Sequence, residues 1–197
     1  MNWSLLFAVI SPAVFAFMNV FDTFIIQKKV RHVLGFVTVS AVTNILLGVV
    51  LALFLDWSQY SILDYLFPIL AGAVMGIQLC FYYIALSKHD SSHAIGLIYC
   101  YPIIVALLSF LFIGEKLSLF GYIGMIVTLM GVLLLSVRIN KLKIKFAVWS
   151  LGIVIMATAL NEFFIKIAIS HISGWNGTAI GSIVMGLFVM PLLLKKS

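Results

Sequence analysis

Two ionisable side chains, Glu162 and Lys166, stand four residues apart inside one long apolar stretch. An ionisable group within a bilayer costs at least about 2.5 kcal/mol, so its presence there indicates a functional role by default. The spacing places both groups on one helix face, with the glutamate on the favourable amino-terminal side. We expect the two residues either to contact a charged or zwitterionic substrate or to form an internal ion pair near the membrane boundary.

Three further polar residues, Asn19, Asp22 and Asn161, also lie in apolar surroundings. Asp22 is close enough to the end of its predicted helix to extend toward Lys28 and Lys29, and binding of a proton is the alternative. Asn19 and Asn161 are predicted to present a pair of amides to a central cavity, because an internal repeat described below would relate them.

A tyrosine and a proline, Tyr99 and Pro102, lie within another apolar run. Pro102 lacks an N–H and its ring disturbs the helical hydrogen bonds, so the sequence predicts a kink. Tyr99 belongs to a group with Tyr82, Tyr83 and Tyr101, whose rings either line a cavity or lie at the membrane interface.

The elements that position these residues are transmembrane helices. The chain is 64% hydrophobic and 9% charged, and apolar runs recur at the roughly 20-residue length that crosses a bilayer. Such runs without two-residue alternation exclude a barrel, so we predict an all-α membrane protein, a bundle of about seven transmembrane helices. The predicted crossings are Leu5–Gln27, Val33–Leu55, Tyr65–Ser87, Ser92–Gly114, Leu119–Val137, Phe146–Ser170 and Trp175–Leu194.

The sequence also excludes several classes of function. Catalytic motifs, metal-ligand spacings and cofactor motifs are absent, so we expect neither an enzyme nor a bound metal or cofactor. The basic residues lie in separate loops rather than on one soluble face, which argues against nucleic acid. The expected partners are the lipid bilayer and a small-molecule substrate, and the expected location is the plasma or inner membrane.

The sequence also contains glycines at helix-packing spacing and charged residues concentrated in the loops. A GxxxG pair, Gly72 and Gly76, predicts a close-packing face on the third helix, and Gly121, Gly124 and Gly131 predict one on the fifth. Glu115 is expected to cap the fifth helix. Lysines and arginines concentrate in alternate loops, which by the positive-inside rule places the amino terminus outside the cell.

Several of these motifs, read in order, resemble the EamA-type domain of the drug/metabolite transporter superfamily. They are Tyr83-x-Ala85-Leu86, Tyr101-Pro102, and Gly114-Glu115-Lys116-Leu117-Ser118 with Gly124 and Gly131 behind it, and Asn19-x-x-Asp22 is consistent with them. The resemblance implies a ten-helix transporter built from two five-helix repeats of opposite orientation. It also implies a cytoplasmic amino terminus, so the direction of insertion stays open.

A shift of 142 positions supports the repeat, because it places Asn19 on Asn161 and Gly35 on Gly177. We therefore expect a first repeat over 1–137, a basic linker over 138–145 and a partial inverted repeat over 146–197. The chain ends after the seventh predicted helix, so we expect either a fragment or a protein whose cavity is completed by a second chain. The predicted function is secondary transport of a small metabolite or drug-like molecule by alternating access. The alternative is a non-transporting membrane subunit or scaffold.

Overall fold

The computed structural model of the protein describes residues 3–29, 33–88, 96–136 and 144–191. These residues form seven α-helices and, within the described ranges, no strand, so the all-α prediction is confirmed. A 3₁₀ turn, Ile62–Tyr65, precedes the third helix, and a π turn, Ser109–Ile113, continues the fourth. The helices are α1 (Trp3–Lys28), α2 (Val33–Leu53), α3 (Leu66–Lys88), α4 (Tyr101–Leu108), α5 (Leu119–Ser136), α6 (Ile144–Ala168) and α7 (Gly174–Val189).

Length and apolarity make this a multi-pass membrane protein. Within the described residues, four helical segments are long and apolar enough to cross a bilayer, and α5 and α7 contain shorter apolar helices. Large apolar side chains such as Phe17, Leu53 and Phe120 are largely exposed on the outside of the bundle, where lipid would cover them. The four segments are Gly35–Leu53, Ile62–Ser87, Gly96–Ile113 and Trp149–Ala168.

Helix α3 occupies the centre of the bundle and has its most extensive contacts with α6 and α7, while α2 packs along α7. The start of α3 meets the end of α6, where Asn161 Nδ2 donates to the Ala71 carbonyl at 2.9 Å, so these helices are antiparallel. The end of α1 meets the end of α3, where Gln27 Nε2 donates to the Leu86 carbonyl at 3.0 Å, so these are parallel. It follows that α1 and α6 run in opposite directions.

Glycines permit the closest helix contacts. A Cβ at Gly72 would lie 2.6 Å from the Gly181 carbonyl oxygen, and one at Gly76 would lie 3.0 Å from Phe188, so α3 approaches α7 through its GxxxG face. The sequence analysis did not identify Gly186, where a Cβ would lie 2.6 Å from the Ala41 carbonyl oxygen on α2.

The predicted small-residue face of α5 has different surroundings from the glycine face of α3. Among the described residues, no atom of a neighbouring element lies within 4 Å of a Cβ built at Gly124 or Gly131, and at Gly121 the nearest contacts are with Leu117 and Ser118 in the preceding loop. This face therefore does not pack against another described helix. Ser118, rather than the predicted Glu115, caps α5, because its Oγ accepts from the Gly121 N–H at 3.2 Å.

One end of the bundle is closed by the α2–α3 loop. Asn176 Nδ2 donates to the Asp56 carbonyl at 3.0 Å, and the Ser173 N–H donates to the Tyr60 hydroxyl at 3.2 Å. Hydrogen bonds from the backbone N–H and the hydroxyl of Ser58 hold the pKa of Asp56 below its ordinary value. At the opposite end, most of the predicted 138–145 linker lies outside the described residues, and α6 begins at Ile144.

Candidate functional site

The fourth crossing, Gly96–Ile113, is a helix whose α-helical hydrogen bonding is interrupted at Tyr99 and Cys100. Residues 96–98 are helical, a turn follows at Tyr99 and Cys100, and α4 then begins at Tyr101 with Pro102 in its first turn. The turn is tight, because the Cys100 N–H donates to Leu97 at 3.1 Å and the Ile103 N–H donates to Cys100 at 3.2 Å. Proline is tolerated in a first helical turn, where its missing N–H would have no helical partner. The helical irregularity that the sequence predicts at Pro102 is thus a 3₁₀-like turn just before it, with Cys100 still in the right-handed helical conformation.

The carboxyl end of α4 continues into a π turn and then a left-handed turn. Its π turn ends at Gly114, which has a φ of +72°, a left-handed conformation that glycine adopts without steric cost. The Glu115 N–H then donates to the Ser109 carbonyl at 3.2 Å. These two features turn the chain so that the Glu115 side chain faces α6.

A cleft of about 430 Å³ lies between α4, α5 and α6. Its volume is within the roughly 300–1,000 Å³ of pockets that bind small molecules. Four of the predicted cavity residues line it, namely Tyr99, Pro102, Glu162 and Lys166, and so do Glu115 and Gly121. The remaining lining residues are mostly apolar: Tyr101, Ile103, Val105, Ala106, Ser109, Leu117, Met125, Thr128 and Leu129.

The ionic contacts in the cleft differ from those expected. Lys166 Nζ forms an ion pair with Glu115 and lies 3.4 Å from the Ser109 hydroxyl, joining α6 to the turn after α4. Among the described residues, Glu162 has no ionic partner, although it lines the same cleft. The intrahelical pair between Glu162 and Lys166 is therefore not formed, because the left-handed turn at Gly114 places a competing carboxylate beside Lys166.

The other three candidates do not line the cleft. Asn19 is buried, with Oδ1 accepting from the Tyr82 hydroxyl at 2.5 Å and with no partner for Nδ2 in the described part of the chain. Asn161 is buried against α3 through its bond to Ala71. Asp22 is half-buried and lies within electrostatic range of Tyr82, while Lys28 lies over the Phe24 ring instead of extending to it.

Sequence reasoning missed several residues of the cleft. Ser109 follows Pro102 and Ala106 at the i, i+4, i+7 spacing of one helix face, a signal that would have identified it. The same spacing relates Gly121 to Met125 and Thr128 on α5. Of the small-residue face of α5, Gly121 and Thr128 therefore border the cleft, whereas Gly124 and Gly131 do not line it.

In a comparison with protein-family models, the model of the EamA-like transporter family matches residues 2–137. This range contains α1 to α5 and therefore includes two of the three walls of the cleft. Comparison with curated proteins and with solved structures gave no match.

Proposed function

Since the chain belongs to the EamA-like transporter family, we propose that it is a secondary transporter that moves a small metabolite or drug-like molecule by alternating access. The cleft between α4, α5 and α6 is the proposed substrate site. The observation that supports this assignment is the local change from α-helical to i→i+3 hydrogen bonding at Tyr99 and Cys100 beside the cleft, because the binding sites of membrane transporters lie at discontinuities in helices.

The alternating motion would involve the contacts that bridge the cleft. The ion pair between Lys166 and Glu115 spans from α6 to the turn after α4, and about half of each side chain is exposed. A partly exposed pair contributes only about 0–1 kcal/mol, so it can open and close at little energetic cost. The π turn before Gly114 adds a second adjustable element, since such turns recur at functional sites.

The inverted repeat is part of the same proposal. The opposite directions of α1 and α6 are compatible with it, and so is the 142-residue offset between Asn19 and Asn161. We place the protein in the plasma or inner membrane. We also propose that helices beyond the described bundle complete the cavity, from a second chain or a second repeat, at the open face of α5 around Gly124.

The experiment is a metabolite uptake and export screen on cells that express the full chain. We expect at least one solute to change its distribution relative to control cells, and the same solute to move in liposomes that contain the purified protein. Glu162→Gln should reduce this flux, and Asp56→Asn, the same chemical change outside the cleft, should not. A normally inserted protein that moves no solute would contradict the proposal.

A second variant tests the interrupted helix. Pro102→Ala restores an N–H and permits continuous α-helical hydrogen bonding through Tyr99, so flux should fall while the amount of inserted protein stays normal. The scaffold alternative draws support from the open face of α5 and predicts the reverse result: a partner chain that co-purifies with the protein, and no flux that depends on Glu162 or Pro102.

A further inference from the structure

The cleft contains an unbalanced negative charge. Its charged lining residues are two carboxylates, Glu115 and Glu162, and one ammonium group, Lys166. The contact between Lys166 and Glu115 neutralises one carboxylate. Glu162 stays without an ionic partner within the described ranges, and it is the charge that a substrate in the cleft would meet.

An unpaired carboxylate beside apolar walls favours a cation as its partner. Glu162 is exposed to the cleft, and a ligand that covers its carboxylate must replace the displaced water with an opposite charge and hydrogen-bond donors, both of which an ammonium group supplies. An anionic ligand would lose hydration and also be repelled by Glu162. The Lys166 ammonium already pairs with Glu115 and lies close to Ser109, so it is less available to offset the repulsion between Glu162 and an anionic ligand.

The other residues that line the cleft indicate the chemistry of the rest of the ligand. Two tyrosine rings, Tyr99 and Tyr101, line the cleft on the same side as the interruption in the helix, and aromatic faces attract cations within about 6 Å. The opposite wall is formed by apolar side chains of α5, among them Met125 and Leu129. Such walls bind an apolar or aromatic body.

We propose that the cleft selects small molecules that carry one cationic amine, bound by Glu162, on an apolar or aromatic body. This inference rests on the proposed transport function for its biological meaning, but it concerns ligand binding and is tested separately from flux. The ion pair between Glu115 and Lys166 contributes to this selectivity, because the pair keeps Lys166 away from Glu162 and so sets the net charge of the site.

The binding experiment compares three probes with the same aromatic body: phenethylamine, 2-phenylethanol and 3-phenylpropionate. Each is titrated calorimetrically into the purified full chain in lipid nanodiscs. We expect the amine to bind at least about tenfold more tightly than the alcohol, as for a charge-assisted hydrogen bond, and the carboxylate to bind most weakly. Equal binding of all three probes, or tightest binding of the carboxylate, would overturn the proposal.

Charge variants make the test sharper. Glu162→Gln should abolish the preference for the amine. Glu115→Gln should reduce it as well, because Lys166 is then free to pair with Glu162 one helical turn away. Lys166→Met leaves two carboxylates and should strengthen amine binding, and combining it with Glu115→Gln should restore the preference lost in the single Glu115 variant. A Glu115→Gln protein that keeps the full preference would contradict the proposed role of the ion pair.

Matched controls separate misfolding from loss of charge. Asp56→Asn makes the same carboxylate-to-amide change outside the cleft and should leave the preference unchanged, and monodisperse elution shows that each variant folds. Flux of the probes in liposomes separates this inference from the proposed function. Flux is taken as the excess over protein-free liposomes, because the neutral probes cross lipid unaided. Amine-selective binding without such flux contradicts the transporter assignment alone, whereas excess flux of the alcohol or carboxylate at the rate of the amine contradicts the cation selectivity alone.

Discussion

Asn161 joins α6 to α3 through a single buried hydrogen bond to the Ala71 carbonyl. Asn161→Ala removes the donor and leaves a small gap, and we expect it to destabilise the protein by about 1–3 kcal/mol. Thermal unfolding in detergent measures the change. The control is Asn44→Ala on α2, where the amide is half-buried and donates only within its own helix, to Ser40 at 2.9 Å. A smaller loss at Asn161 than at Asn44 would contradict this structural role.

The charged residues of the cleft show how far local spacing can predict a site. Glu162 and Lys166 were identified because an apolar stretch makes any charge conspicuous, and both do line the cleft. The partner of Lys166 lies 51 positions earlier, at Glu115, and it is brought there by the left-handed turn at Gly114. Helical spacing describes neighbours along one helix and contains no information about a loop from elsewhere in the chain.

At the scale of helices, the glycine faces of α3 and α5 look alike in sequence. We expect alanine substitutions on the two faces to change the stability of the protein in different directions. A Cβ at Gly72 would lie 2.6 Å from a backbone oxygen of α7, whereas one at Gly124 meets no described atom within 4 Å. We expect Gly72→Ala to destabilise by about 1–3 kcal/mol through overpacking. Without the helices proposed to complete the cavity at this face, Gly124→Ala should be neutral or stabilise by up to about 1 kcal/mol through helix propensity. Thermal unfolding of the two variants compares them directly, and equal destabilisation would show that α5 is packed.

The positions of the helices were predictable because each apolar run must satisfy its backbone hydrogen bonds internally. Several predicted crossings agree closely with observed helices, as for Val33–Leu55 and the observed Val33–Leu53, whereas the fourth, Ser92–Gly114, contains the shorter α4, and its first residues lie outside the described ranges. The 3₁₀-like turn before Pro102 was predicted only as a kink, since proline disturbs a helix in either case. Whether the chain bends or tightens into such a turn depends on neighbouring packing, which the local sequence does not specify.

The arrangement of the whole bundle was the least predictable feature. Short connections indicate antiparallel neighbours in sequence, yet α3 has its largest contacts with α6 and α7, which follow much later in the chain. These contacts depend on matched small residues such as Gly72 and Gly181, whose partners cannot be assigned from one helix alone. The asymmetry of loop charge, by contrast, is visible in the sequence: Lys28, Lys29 and Lys88 lie at or just after helix ends on one side of the bundle, whereas the other side has Asp56, Asp64 and Glu115, with Lys116 next to Glu115.

This asymmetry makes the membrane orientation testable with single cysteines. In a chain with Cys80 and Cys100 replaced by alanine, Ser58→Cys and Lys29→Cys report the two sides, since both positions are exposed. The positive-inside rule places the lysine-rich side in the cytoplasm. A membrane-impermeant maleimide should therefore label Ser58→Cys in intact cells and Lys29→Cys only after permeabilisation.

The buried Val37→Cys is the control and should react only after denaturation. The reverse labelling pattern would place the amino terminus in the cytoplasm, as the family resemblance implied, and would show that the loop lysines do not determine insertion. Labelling of both positions from the same side would contradict the bundle itself, because α1 and α3 run parallel and the Ser58 loop precedes α3 while Lys29 follows α1.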